Sequence, residues 1–234
     1  IDPDKIKDGD LPQEDSLLVS KRYPIFVVAD GVTLLQYLLD KKDYPNPSPA
    51  GDVARIFCEE FLMAAEERYE FFNEDVAKEV FRIGNEAVGK YNQENGRTKD
   101  TVDYWNNDYY AATAAFAVVK DDMVYWGSID DSFVAQIGEQ GNVLFQSPQP
   151  MERVEVKLPK YDGDPNDPKA KAKYIWSTIR NGVDNMGKLV GYGVVTGEES
   201  ANRYLNHGSF EIKQDELLAI FTDGFEDYVR LPEF

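Results

Sequence analysis

Two apolar runs far apart in the chain each end in Asp-Gly: Ile25-Phe26-Val27-Val28-Ala29-Asp30-Gly31 and Leu217-Leu218-Ala219-Ile220-Phe221-Thr222-Asp223-Gly224. A carboxylate delivered at the end of a buried strand is a hard oxygen ligand, and the glycine beside it allows its own carbonyl to approach the same ion. Two such ends that meet in space would hold a divalent cation such as Mg2+ or Mn2+. Glu14-Asp15 precedes the first run, and Asp130-Asp131-Ser132 sits between two strand-like segments. Each Asp-Gly taken alone is equally a turn dipeptide, so position and company must decide between the readings.

The elements that would position these acids follow from pattern. Both runs are continuous in β-branched and aromatic residues, which predicts buried strands, each broken at a glycine able to take positive φ. Ser16-Leu17-Leu18-Val19 reads as a short strand joined to the first run through a hairpin turn at Lys21-Arg22-Tyr23-Pro24. Ser48-Pro49 supplies a cap and first turn for a helix to about Tyr69, and Asn73-Glu74-Asp75 starts a second that stops at Asn95-Gly96. The short link between them predicts an antiparallel pair. Residues 111–119, 123–129 and 132–138, then Val143-Leu144-Phe145, read as an antiparallel meander. A proline-rich flap spans 146–168, helices are expected around 169–181 and near 198–206, and Ser209-Phe210-Glu211-Ile212 leads into the second Asp-Gly run.

At 234 residues with 42% hydrophobic content the chain is expected to form one domain, residues 1–234. A net charge of -18 repels phosphate backbones and anionic bilayers, which argues against nucleic-acid and membrane partners. Most of the 43 acidic residues must therefore be solvated surface. The lone Cys58 excludes an internal disulfide and falls on an amphipathic helix as a structural thiol, and the lone His207, placed in a turn, excludes two-imidazole zinc chemistry. No apolar run approaches the ~18 residues that span a bilayer, and the expectation is a soluble, cytoplasmic monomer. The chain opens at Ile1 rather than Met, which leaves a removed targeting segment open.

Taken in order, Gln13-Glu14-Asp15, Val27-Val28-Ala29-Asp30-Gly31-Val32, Ala50-Gly51-Asp52-Val53-Ala54, Ala112-Thr113-Ala114, Asp131-Ser132 and Phe221-Thr222-Asp223-Gly224-Phe225 resemble the successive motifs of the metal-dependent protein phosphatase 2C family. Gly191-Tyr192-Gly193-Val194-Val195-Thr196-Gly197-Glu198 is similar to a segment of prokaryotic-looking members. The resemblance implies an α+β fold, a four-layer α-β-β-α sandwich of two antiparallel sheets flanked by helix pairs. It further implies hydrolysis of phosphoserine or phosphothreonine in phosphorylated protein substrates by a water bridging two Mn2+ or Mg2+ ions, with no protein nucleophile. By the same resemblance Asp30 bridges the ions, Gly31 lends its carbonyl, Asp223 holds one ion, Glu14 acts through bound water, and Asp131 matches a ligand of a third, weaker ion.

The departures from the family pattern are specific. Asp10 stands where the family places the arginine that grips the substrate phosphate, Val32-Thr33-Leu34 replaces the usual second glycine pair, and an insertion precedes Gly51. Arg22, in the hairpin turn, is a weak candidate for the missing cation. The resemblance also implies a final Asp-Asn motif some tens of residues beyond Asp223, and the sequence stops at Phe234, so either the domain is truncated at its C-terminal end or the site is incomplete. The rival reading is a catalytically inactive phosphatase-like binding or regulatory module. A third, a calcium module at Asp162-Gly163-Asp164-Pro165-Asn166-Asp167, lacks the EF-hand order.

Overall fold

A computed structural model describes residues 12–148 and 159–224. Two antiparallel sheets stack face to face, as expected. The larger takes β1 (Asp15–Val19), β2 (Ile25–Gly31), β3 (Ala112–Lys120), β4 (Met123–Ile129) and β7 (Asn206–Glu211) in the order β1-β2-β3-β4-β7. The smaller takes β5 (Phe133–Ile137), β6 (Val143–Gln146) and β8 (Leu217–Phe221) in the order β6-β5-β8.

The middle strands of the larger sheet, β2 to β4, are buried on both sides, and the side-chain period of two sorts their residues. Ile25, Val27 and Ala29 of β2, with Ala112, Ala114, Phe116 and Val118 of β3, pack beneath α2 (Pro49–Arg68) and α3 (Glu74–Glu94). Val28, Ala115, Ala117, Val124 and Trp126 face the other way and meet Val134, Leu218 and Ile220 of the smaller sheet. Phe57, Phe61, Val80 and Phe81 between the helix pair and the sheet are at most 1% exposed. Each contributes about 1.5–3 kcal/mol relative to an exposed position. Both caps match the sequence reading: Ser48 Oγ accepts from Ala50 N, and Asn73 Oδ1 accepts from Asp75 N and Val76 N.

Asp121 and Asp122, both at positive φ, close the β3–β4 hairpin, a two-residue turn of the kind that matches strand twist. The expected continuous meander is corrected at the next link. β4 pairs with β3 and β7, whereas β5 pairs with β6 and β8, so the chain changes sheets at Asp130-Asp131. Asp130 makes the change in the left-handed region (φ 59), a conformation that Asp tolerates better than most residues.

Smaller corrections follow. His207 lies within β7 opposite Gly127 instead of in a turn, because the strand begins at Asn206. A short helix, α1 (Leu35–Leu39), occupies the insertion. The helix expected at 169–181 is α4 (Pro168–Tyr174), capped by Asp167, continuing as a π-helical turn over Ile175–Ile179. The helix expected near 198–206 is 3-10 in form, Glu199–Tyr204. Asp164 Oδ1 takes the Asn166 N–H, so two acids of the calcium-module reading serve a turn and a helix start. Residues 149–158 of the flap lie outside the described residues.

Candidate functional site

Period two places Asp30 on the face of β2 shared with Val28, the face that looks between the sheets, at the last turn of the strand before the sandwich ends. The β4–β5 link brings Asp130 and Asp131 to the same end from the other side, and Asp223 arrives just past β8. Asp30, Gly31, Thr113, Asp130, Asp131 and Asp223 thus line one cavity of about 320 Å³. The two Asp-Gly ends singled out in the sequence open onto the same space.

Gly31 owes its identity to crowding, not to positive φ. It remains in β2, its N–H donates to Glu14 O, and a Cβ built there would lie 2.5 Å from the Ala50 carbonyl carbon and oxygen at the start of α2. Ala50-Gly51 therefore presses the N-terminus of α2 against the end of β2, and Gly51 is likewise tight, its Cβ position 3.0 Å from Gln13 O.

Glu14 is buried one residue before β1 and its carboxylate is held by hydroxyls. Tyr44 Oη donates to Oε1 at 2.8 Å, Ser48 Oγ donates to the same oxygen, and Thr33 Oγ1 is 3.5 Å from Oε2. Ser48 thereby both caps α2 and holds Glu14. Burial raises the Glu14 pKa above its ordinary value, against the lowering effect of those hydroxyls.

The cavity carries a concentration of like charge. Burial, followed by the Asp15, Asp223, Asp131 and Glu14 carboxylates, pushes Asp30 up to about 7. Burial and the neighbouring Asp131 and Asp223 push Asp130 up to about 8. Asp15, opposite Asp30 in the β1–β2 register, thus adds to the field. Among the described residues Arg180 is the lone basic side chain lining the cavity. Its Nη1 and Nη2 are committed to Asp108 Oδ2 and Oδ1 at 2.9 and 2.6 Å in a buried pair.

Carboxylates lining one cavity are the ligand type a hard cation takes, and a proton or a cation would relieve their mutual repulsion. No group of three or more His, Cys, Asp or Glu side chains is arranged to hold a metal ion among the described residues. Cys58 takes no part, being buried on α2, its thiol pushed up to about 12 by burial, with Sγ 3.7 Å from Ser16 O.

Arg22 is not brought to the site. It sits in the turn before β2, over the Tyr23 ring at 5.3 Å, so the seven-residue strand separates it from Asp30 by roughly 20 Å. Asp10 lies outside the described residues. Sequence reasoning missed the opposite wall of the cavity, formed by Trp176, Arg180, Tyr192 and Val194. It noted Asp130 only as part of an acidic cluster; a charged residue in a link that must reverse direction between strands was the available signal.

No family model matches the chain, and no curated protein matches its sequence. Solved structures do. The serine/threonine phosphatase Stp1 of Staphylococcus aureus superposes with a TM-score of 0.51 at 14% identity, over 95% of this chain and 75% of its own. The catalytic domain of the serine/threonine protein phosphatase PstP, crystallised with two manganese ions, gives 0.50 at 13% identity, over 92% and 73%. The photosystem II phosphatase PBCP gives 0.50 at 13% identity over 91% of this chain, which spans 60% of PBCP's length. The chain carries the 2C-type phosphatase fold.

Proposed function

We propose that the chain is a metal-dependent phosphatase acting on phosphoserine or phosphothreonine in proteins. The reading is carried by one observation: Asp30, Asp131 and Asp223, from three separated segments, line a single cavity at the end of a phosphatase-type sandwich. Asp30 with the Gly31 carbonyl, and Asp223, would hold a pair of Mn2+ or Mg2+ ions, and Asp131 a third, weaker one. Bound in this way, the metal lowers the pKa of water to give a nucleophile near neutral pH and offsets charge on the phosphoryl group. Glu14 keeps its carboxylate oriented through Tyr44, Ser48 and Thr33, and Thr113 hydrogen-bonds Ser132 at 2.8 Å, which fixes the β4–β5 link beside Asp131. The two manganese ions of PstP support the metal requirement by analogy of fold.

Phosphate release from a phosphothreonine peptide, followed with and without millimolar Mn2+, tests this. The expected result is Mn2+-dependent turnover that Asp30→Asn and Asp223→Asn each lower by more than about 100-fold, the upper end of what loss of even an outer metal partner costs. A folded chain that binds Mn2+ in calorimetry yet releases no phosphate would instead be the catalytically inactive binding or regulatory module.

A further inference from the structure

The acids that gather at the end of the sandwich would repel a phosphate monoester, and the turn arginine Arg22 is a strand's length away. Of the other candidate cations, Lys169 lies 4.6 Å over the Trp105 ring and 3.9 Å from Asp40, outside the cavity lining. We propose that Tyr192 and Arg180 form the phosphoryl-receiving wall of the cavity, with the Tyr192 hydroxyl and the Nε edge of the Arg180 guanidinium donating to oxygens of a phosphomonoester held opposite Asp30. The proposal deepens the phosphatase reading and rests on it for the identity of the substrate.

Four observations carry it. Arg180 is paired end-on, each Nη giving one N–H to Asp108, so its fork is fixed while its Nε–H stays uncommitted. That Nε is buried and has no hydrogen-bond partner, an unsatisfied donor on a charged group. Burial alone would lower the Arg180 pKa, but the Asp108 carboxylate raises it, so the guanidinium stays cationic. Tyr192, whose ring is part-buried in the same wall, makes no hydrogen bond from its hydroxyl among the described residues, and burial pushes it up to about 12, so it remains a donor throughout the neutral range.

The wall is built to hold still. Asn181, in the left-handed region at φ 52, donates from Nδ2 to Val194 O, Thr196 Oγ1 and Glu198 Oε2 and accepts from Val194 N. Val195 in turn bridges Ala112 of β3, the neighbour of Thr113. The positions of Arg180 and Tyr192 are thereby referred to the strand pair that carries Asp30. Trp176, its ring centroid 6.0 Å from the Arg180 guanidinium carbon and stacked on Trp105, lines the cavity beside them.

Calorimetric binding of inorganic phosphate to the Mn2+-loaded chain, alongside steady-state kinetics on a phosphothreonine peptide, tests the wall. Tyr192→Phe, which removes one hydroxyl and leaves the Asp108 pair intact, is expected to weaken phosphate binding about fivefold to tenfold. KM for the peptide should rise by a similar factor while melting temperature and Mn2+ affinity stay near wild type. Arg180→Lys keeps the charge but loses the Nε edge, and is expected to weaken phosphate binding at least as much. Wild-type phosphate affinity in Tyr192→Phe, or a wild-type chain that binds no inorganic phosphate with Mn2+ present, would overturn the proposal. A chain that binds phosphate in a Tyr192-dependent way but hydrolyses no peptide retires the hydrolase reading and leaves the wall standing.

Discussion

Asp30 is the residue on which the proposed site turns, and its surroundings hold its proton to higher pH in the metal-free chain. Burial and the facing carboxylates lift it from an ordinary 3.8 to about 7 in the folded state. The native chain therefore binds more protons than the unfolded chain between these values, so stability falls as pH rises from about 4 through 7. Asp130, lifted to about 8, extends the decline by about one further pH unit. Thermal melts in chelator across this range are expected to show that slope, and Asp30→Asn, which cannot ionise, should flatten it. An unchanged slope in the variant would mean that other groups set the acid preference. A cation that replaces the protons reverses the sign, so Mn2+ should stabilise the chain more at pH 8 than at pH 6.

At the level of elements, the end of β2 and the start of α2 are packed to contact through two small residues. Gly31→Ala would place a methyl 2.5 Å from the Ala50 backbone carbonyl, which neither a rotamer change nor a flexible neighbour can relieve. The helix N-terminus must move, at a cost of about 1–3 kcal/mol in urea unfolding. Because Ser48, the cap of that helix, also holds Glu14, the same shift should weaken Mn2+ binding, whereas a stability loss with unchanged Mn2+ affinity would uncouple the helix from the site. The π-helical turn at Ile175–Ile179 ends in the extended residue Arg180, and Trp176 and Arg180, four residues apart, both line the cavity.

Across the whole molecule, the buried Asp108–Arg180 pair joins the polar segment after α3 to the wall after the flap, 72 residues apart in sequence. Asp108→Ala leaves a buried guanidinium uncompensated and is expected to destabilise the fold by about 3–5 kcal/mol, and Asp108→Asn by less, measured by chemical denaturation. Little of this wall was legible in the sequence. Asp30 and Asp223 were visible because both strands are written as continuous apolar runs, although only β2 is buried and β8 is largely part-exposed among the described residues, and α2 and α3 because caps and periodicity are local signals. Tyr192, Trp176 and Arg180 are ordinary residues of a glycine-rich and a helical stretch until tertiary contacts face them toward the acids. The transfer of the chain between sheets was hidden for a similar reason, since strands in one sheet and strands in two have the same local pattern, and only the backbone at Asp130 differs. That division between sheets has a mechanical corollary. Asp30 belongs to one sheet, and Asp223 hangs from the end of the other, so an ion gripping both acts as a rivet across the sandwich. Mn2+ should then slow amide hydrogen exchange in β8, an edge strand of the smaller sheet among the described residues, more than in β3 at the centre of the larger one; equal slowing in both would show that the ion grips only one leaf.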